Sequence, residues 1–237
     1  MNEIESNLLV KWYEELENRL ALVLNTVPYS SDTEDVFLPE LPNILIDTCS
    51  LIDAFLRNGY VFKTSPPPKT RKELTINDFY TYYNNCFLLT DLNSIFLNVP
   101  AICVKPFGDW RRSKAPFWWS AHNKVKHDRI KQYKLATLKN AVHSVCALHQ
   151  IISQHPSFLN SLIREEMICF GDYAPNYIVN EVYKQRNSAE TLIIETKFFA
   201  TTLGKYRFDD DIKKANKHIV SAFGKKLKRF LGLEYHY

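Results

Sequence analysis

From Pro116 to Arg129 the chain reads Pro-Phe-Trp-Trp-Ser-Ala-His-Asn-Lys-Val-Lys-His-Asp-Arg, which gathers two tryptophans, two histidines, an asparagine and three basic groups within fourteen residues. No other stretch is so dense in groups that can do chemistry. An imidazole titrating near neutrality can take the proton of a ribose 2′-hydroxyl or return one to a leaving oxygen, while ammonium and amide groups beside it hold the charge developing on phosphate. These residue types suit RNA cleavage with no metal ion or other cofactor. On a helix Asn123 and His127 are four residues apart and face the same way, with Lys124 and Lys131 neighbouring that face and His122 roughly 140° round from His127. A lone histidine needs a second acid–base group, which a symmetric dimer could supply from the partner's copy of the helix. The candidate catalytic residues on this face are His127 and Asn123, and the candidate RNA contacts are Lys124, Lys126, Arg129, Lys131, Arg111 and Arg112. The competing reading is structural: His127 and Asn123 tie the helix to a neighbour, and Trp118 and Trp119 anchor a core or an interface.

The charge distribution bears on both readings. Net charge is only +4, yet residues 1–60 carry eleven Asp or Glu against Lys11, Arg19 and Arg57. From Lys105 to Lys139 the balance reverses, with ten Lys or Arg against Asp109 and Asp128. A basic patch of this size can hold a polyanion such as RNA. It can equally be neutralised by the acidic N-terminal region, within one chain or across a dimer.

At 237 residues, with 46% hydrophobic and 24% charged residues, the chain can bury a core without disulfides or metal and is expected to form one domain over 1–237. The five cysteines are odd in number, widely spaced and never in a Cys-x-x-Cys pair, which predicts core thiols in a reducing, cytoplasmic setting. No apolar run approaches a membrane span, and the N-terminus lacks a signal-peptide pattern, so no membrane association is expected. Walker, dinucleotide-binding, zincin and α/β-hydrolase motifs are absent. His143, His149 and His155 lie on or near one helix face without a carboxylate cluster, so no metal site is predicted.

Apolar spacing sets the elements that must carry the dense segment. Ile4, Leu8, Trp12, Leu16, Leu20 and Val23 predict a first helix from about Ile4 to Leu24. A second starts near Pro42, with Leu41, Ile44, Leu45, Thr48, Leu51, Ile52, Phe55 and Leu56 as its wide apolar stripe, and stops at Asn58-Gly59. Thr75 is expected to cap a short helix through Cys86. Pro116 opens the helix through His127, another runs from Lys134 to Ser153, and a further one covers about Phe158 to Phe170. Residues 60–75, with Pro66-Pro67-Pro68, and 87–115 read as loop or extended excursions, with little sheet. Thr191 to Phe199 reads as a strand that pairs with 99–107, and Asp209 to Leu231 as a basic amphipathic helix.

The Asn-Lys-Val-Lys-His-Asp-Arg run, preceded by Trp-Trp and followed by the Ala-Thr-Leu-Lys-Asn-Ala-Val helix, resembles the motif of the HEPN superfamily: an Arg, a following polar residue, and a His four to six positions after the Arg. Aligned so, His122 stands at the Arg position, Asn123 at the polar position and His127 at the His position, and the resemblance covers about 116–153. It implies a homodimeric helical bundle whose motifs meet in an interface cleft, with many members cutting RNA independently of metal in toxin–antitoxin or phage-defence systems. The family's nucleases rely on the Arg that His122 replaces here. The expected fold is thus mainly α, a HEPN-like bundle with a small extended or β-hairpin element. The expected function is RNA binding or cleavage at a dimer cleft lined by His122, Asn123, Lys126, His127 and Arg129. The alternative is a non-catalytic helical dimer or protein-interaction module.

Overall fold

The computed structural model describes residues 2–60, 69–97, 101–169 and 191–204, and in them the chain is mainly helical with a small antiparallel sheet. The Pro66–Pro68 excursion and the C-terminal helix predicted over 209–231 lie outside the described residues. Close backbone contacts divide the chain into two compact units. Of the described residues, the first takes 11–60, 69–91 and 106–148; the second takes 2–10, 92–97, 101–105, 149–169 and 191–204.

The first unit contains most of helix α1 (Glu3–Thr26), all of α2 (Leu41–Gly59), α3 (Ile76–Phe87), α4 (Phe117–His127) and the short α5 (Arg129–Gln132), and the start of α6 (Leu138–Gln154). Helix α1 buries Leu16, Leu20 and Val23, as its spacing predicts, together with Tyr13, which that stripe did not include. Nearer the N-terminus the face turns over: Leu9 and Val10 are buried, whereas Ile4, Leu8 and Trp12, expected in the core, are exposed. Helix α2 buries Leu41, Ile44, Leu45, Cys49, Ile52, Phe55 and Leu56 at three- and four-residue spacing, with Pro42 pre-set for its first turn. Arg19 of α1 clamps α2, donating through Nε and Nη2 to Glu40 Oε1 (2.8 and 2.6 Å) and through Nη1 to Asp47 Oδ2 (2.8 Å).

Gly59 ends α2 against Tyr83 of α3, whose hydroxyl donates to Leu56 O at 2.8 Å. A Cβ on Gly59 would stand 2.6 Å from that hydroxyl, so the close approach requires glycine. Asp78 accepts from both the backbone N–H and the hydroxyl of Thr75, each at 2.7 Å, which fixes the start of α3. The entry of α6 is held by Leu138 N–H on Val36 O (2.9 Å), Lys139 N–H on Glu34 O (2.8 Å) and an ion pair from Lys139 to Glu34 (2.9 Å).

In the second unit five antiparallel strands follow the order β2-β1-β5-β4-β3: β1 (Ser94–Phe96), β2 (Ile102–Val104), β3 (Ile168–Cys169), β4 (Thr191–Glu195) and β5 (Phe199–Gly204). Gln150 donates to Leu92 O (3.2 Å) and Ser94 Oγ (2.9 Å), Ser94 hydrogen-bonds Thr201, and Gln154 donates to Thr202 O (3.0 Å). Buried polar groups on α6 are thereby tied to the sheet backbone.

Three expectations need correction here. The strand predicted over Thr191–Phe199 is two strands, because Thr196 N–H turns back onto Phe199 O at 2.8 Å and reverses the chain. Its partner is not 102–104: β4 pairs with β5 and β3, and β2 pairs with β1, Phe96 facing Ile102 and Ser94 facing Val104. The helix predicted to reach Phe170 stops as α7 (Leu159–Arg164), since Glu166 adopts a left-handed φ of 54° and the chain enters β3. No helix among the described residues is long and apolar enough to cross a membrane.

Candidate functional site

Helix α4 is placed by its tryptophans. Trp118 is fully buried, donates from Nε1 to Pro106 O at 2.7 Å and packs edge-on to Phe107, which also meets Trp110. With Trp118, Ala121 and Val125 turned inward, the face carrying Trp119, His122, Asn123 and Lys126 is presented across from α2. These positions follow the i, i+3, i+4, i+7 spacing of one helix face. On α2 the corresponding face carries Ser50, Asp53, Ala54 and Arg57. Ala115 and the segment from Leu74 to Asn77 complete the lining of an open cleft of about 670 Å³.

The polar groups in this cleft are only partly paired. Arg57 Nε donates to Asp53 Oδ2 at 2.6 Å, and its Nη1 donates to Arg71 O at 2.6 Å, so the guanidinium is held in place. Asp53 Oδ1, Asn77 Oδ1 and both ring nitrogens of His122 are buried and have no hydrogen-bond partner. A folded chain rarely leaves such atoms unpaired, because each costs about 1–3 kcal/mol. Four such atoms, on Asp53, Asn77 and His122, line this one cleft, where water or a bound group can supply the partners.

His122 is only 3% exposed, with its ring 5.2 Å from that of Trp119. Burial and then the positive charge of Lys126 push its imidazole down to about 4, against an opposing pull from Asp53 and with a smaller contribution from His127. At neutral pH it is an uncharged ring with one N–H donor and one lone pair. Cys49 of α2 is fully buried, and burial and the Asp53 carboxylate raise its thiol well above its ordinary range, against Lys126, so it is no nucleophile.

No protein-family model, curated protein or solved structure matches the chain.

The cleft brings together three of the residues singled out in the sequence, His122, Asn123 and Lys126. His127 is exposed at the end of α4 and outside the cleft lining, though near enough for its charge to act on His122. Lys124 is also exposed, and neither it nor Lys126 makes an ion pair among the described residues. Arg129 donates to Asn43 Oδ1 at 3.0 Å, and Lys131 pairs loosely with Asp128 at 3.8 Å. Arg111 is folded into its own turn, donating to Gly108 O (3.0 Å) and Trp110 O (2.6 Å), beside an exposed Arg112. Among the described residues no group of three His, Cys, Asp or Glu could hold a metal. His143 packs edge-on against Phe117, and His155 accepts from Ser157 N–H at 3.2 Å.

Asp53, Arg57, Ser50 and Asn77 were not singled out by sequence reasoning. The visible signal was the Asp53/Arg57 pair at i, i+4 on the polar side of α2, a spacing that more often marks a solvated face.

Proposed function

We propose that the chain is an RNA-directed protein of the HEPN type that binds RNA in the α2–α4 cleft and cleaves it without metal. The observation that carries this reading is His122, buried, uncharged and unpartnered at both ring nitrogens, in an open cleft beside Lys126 and Asn123. The exposed basic run from Lys124 to Lys134 supports it further, since exposed cations next to the cleft can track a phosphate backbone. In this reading the roles shift along the helix. The neutral His122 accepts the proton of a ribose 2′-hydroxyl, the 2′-oxygen attacks phosphorus, and the 5′-oxygen leaves with a proton from an exposed histidine, His127 of the same chain or of a symmetric partner. The products are a 2′,3′-cyclic phosphate and a free 5′-hydroxyl. Lys126 and Asn123 hold the charge on the phosphoryl oxygens. A bound phosphate offsets the charge of Lys126, so the His122 pKa rises in the complex and its basicity with it.

The test is binding of a labelled single-stranded RNA between 50 and 200 mM salt. Affinity falls steeply with salt, and Lys126→Ala lowers the slope of log K against log salt by about one. No binding by the wild-type chain at 50 mM salt sinks the reading.

A second reading, a non-catalytic dimer or interaction module, is favoured by one observation. Ile4, Leu8 and Trp12 are 72%, 46% and 52% exposed at successive four-residue steps on α1, among the exposed Glu3, Glu5 and Glu15. Sedimentation of the wild type against Trp12→Glu tests it: a dimer lost in the variant supports it, and a wild-type monomer removes it.

A further inference from the structure

We propose that the α2–α4 cleft reads guanine, with Asp53 Oδ1 and Asn77 Oδ1 accepting from the N1–H and 2-amino groups of an unpaired guanine base while Lys126 holds the nucleotide's phosphate. The proposal rests on the RNA reading of this cleft and names the base it selects. Two of the buried unpartnered atoms, Asp53 Oδ1 and Asn77 Oδ1, are acceptors only, so the missing partner must bring N–H or O–H donors. A bare phosphate brings none at neutral pH beyond a single proton, and it cannot satisfy them.

Among the nucleobases, guanine presents two adjacent donor groups, N1–H and the 2-amino group, along one edge. Uracil presents one donor flanked by acceptors, and adenine and cytosine present a single amino group next to a ring acceptor. Only guanine meets both acceptors without setting one of its own acceptors against a carboxylate. The Asp53 carboxylate is held in orientation, since its other oxygen accepts from Arg57 Nε at 2.6 Å. The opposite wall supplies the cation: Lys126, exposed and without an ion pair among the described residues. A cleft of about 670 Å³ lies within the range that encloses a small organic ligand such as one nucleotide. His122, 97% buried from its exposure of 3%, lies in the same lining and is itself unpartnered, which is independent of the two acceptors. Because the edge being read is the one used in base pairing, the site takes single-stranded and not duplex RNA.

Calorimetric titration of the full chain with guanosine 5′-monophosphate, inosine 5′-monophosphate, uridine 5′-monophosphate and inorganic phosphate tests this directly. Inosine differs from guanosine only by lacking the 2-amino group. The guanine nucleotide is expected to bind at least tenfold more tightly than the inosine nucleotide, and Asn77→Ala to erase the difference. Asp53→Asn, where circular dichroism shows it folded, is expected to weaken the guanine and inosine nucleotides alike; Asn77→Ala carries the test if it is not folded. Equal binding of the guanine and inosine nucleotides, or none of either, overturns the proposal. Salt-sensitive RNA binding alongside equal nucleotide binding overturns the guanine assignment alone, whereas absence of RNA binding overturns the RNA reading itself.

Discussion

Replacing His122 with leucine separates the functional use of the cleft from its cost to the fold. The folded chain holds this imidazole at about 4, against about 6.5 for an unfolded histidine. Above pH 6.5 both states leave the ring neutral and folding gains nothing or loses nothing from its titration. As the pH falls below 6.5 the unfolded chain takes up a proton that the folded chain refuses, so stability drops, and the drop is complete only below about pH 4. Between pH 7.5 and 5.0 this amounts to at most about 2 kcal/mol. His143 and His149 are pushed down to about 3 by burial and add their own acid sensitivity, so the wild-type curve alone does not isolate His122. The difference between the wild type and His122→Leu does. At pH 7.5 the variant is expected to equal or exceed the wild type by about 1 kcal/mol, because it removes two unpaired buried nitrogens. At pH 5.0 its advantage grows by about 2 kcal/mol. Urea unfolding followed by tryptophan fluorescence at the two pH values reads both numbers. An advantage that stays constant with pH, or a variant less stable than the wild type by several kcal/mol at pH 7.5, refutes the reasoning, because His122 would then be a satisfied structural histidine.

Other perturbations test the frame around the cleft. Gly59→Ala pushes a methyl group into the Tyr83 hydroxyl and is expected to cost about 1–2 kcal/mol in urea unfolding, a cost that shrinks in the Tyr83→Phe background where the clashing oxygen is gone. Trp118→Phe strands the Pro106 carbonyl and opens space beside Phe107, so a loss of about 2–3 kcal/mol is expected, with the helix content by circular dichroism unchanged. Arg19→Met removes a clamp whose partners are partly exposed; the loss should stay within about 1 kcal/mol and shrink at 0.5 M salt.

The helices near the cleft were legible in the sequence because each is amphipathic and punctuated. The register of α2 follows from Ile44, Leu45, Ile52, Phe55 and Leu56, and its end from Asn58-Gly59; Thr75 and Pro116 mark the starts of α3 and α4. The β1 strand was not legible, because residues 92–97 are all buried and give no alternation to read. The outward turn of Ile4, Leu8 and Trp12 was equally hidden, since a stripe of period 3.6 does not say which of two apolar faces, Leu9 and Val10 or Leu8 and Trp12, meets the core. In the site, His122, Asn123 and Lys126 were found as types, but the pairing of Asn123 with His127 rested on helical geometry alone. Which side of α4 faces α2 is decided by the inward lock of Trp118 on Pro106, a tertiary contact with no local signal. For the same reason Asp53 and Asn77, on other elements, could not be joined to the site from the sequence.

The most direct measurement is cleavage of a mixed-sequence, single-stranded labelled RNA in EDTA by the wild type and by His122→Leu, prepared identically and compared at pH 7.5. The account predicts cleavage by the wild type, ends carrying 2′,3′-cyclic phosphate, and a loss of at least a hundredfold in the folded variant. Cleavage undiminished in His122→Leu, or neither cleavage nor salt-sensitive binding by the wild type, contradicts it.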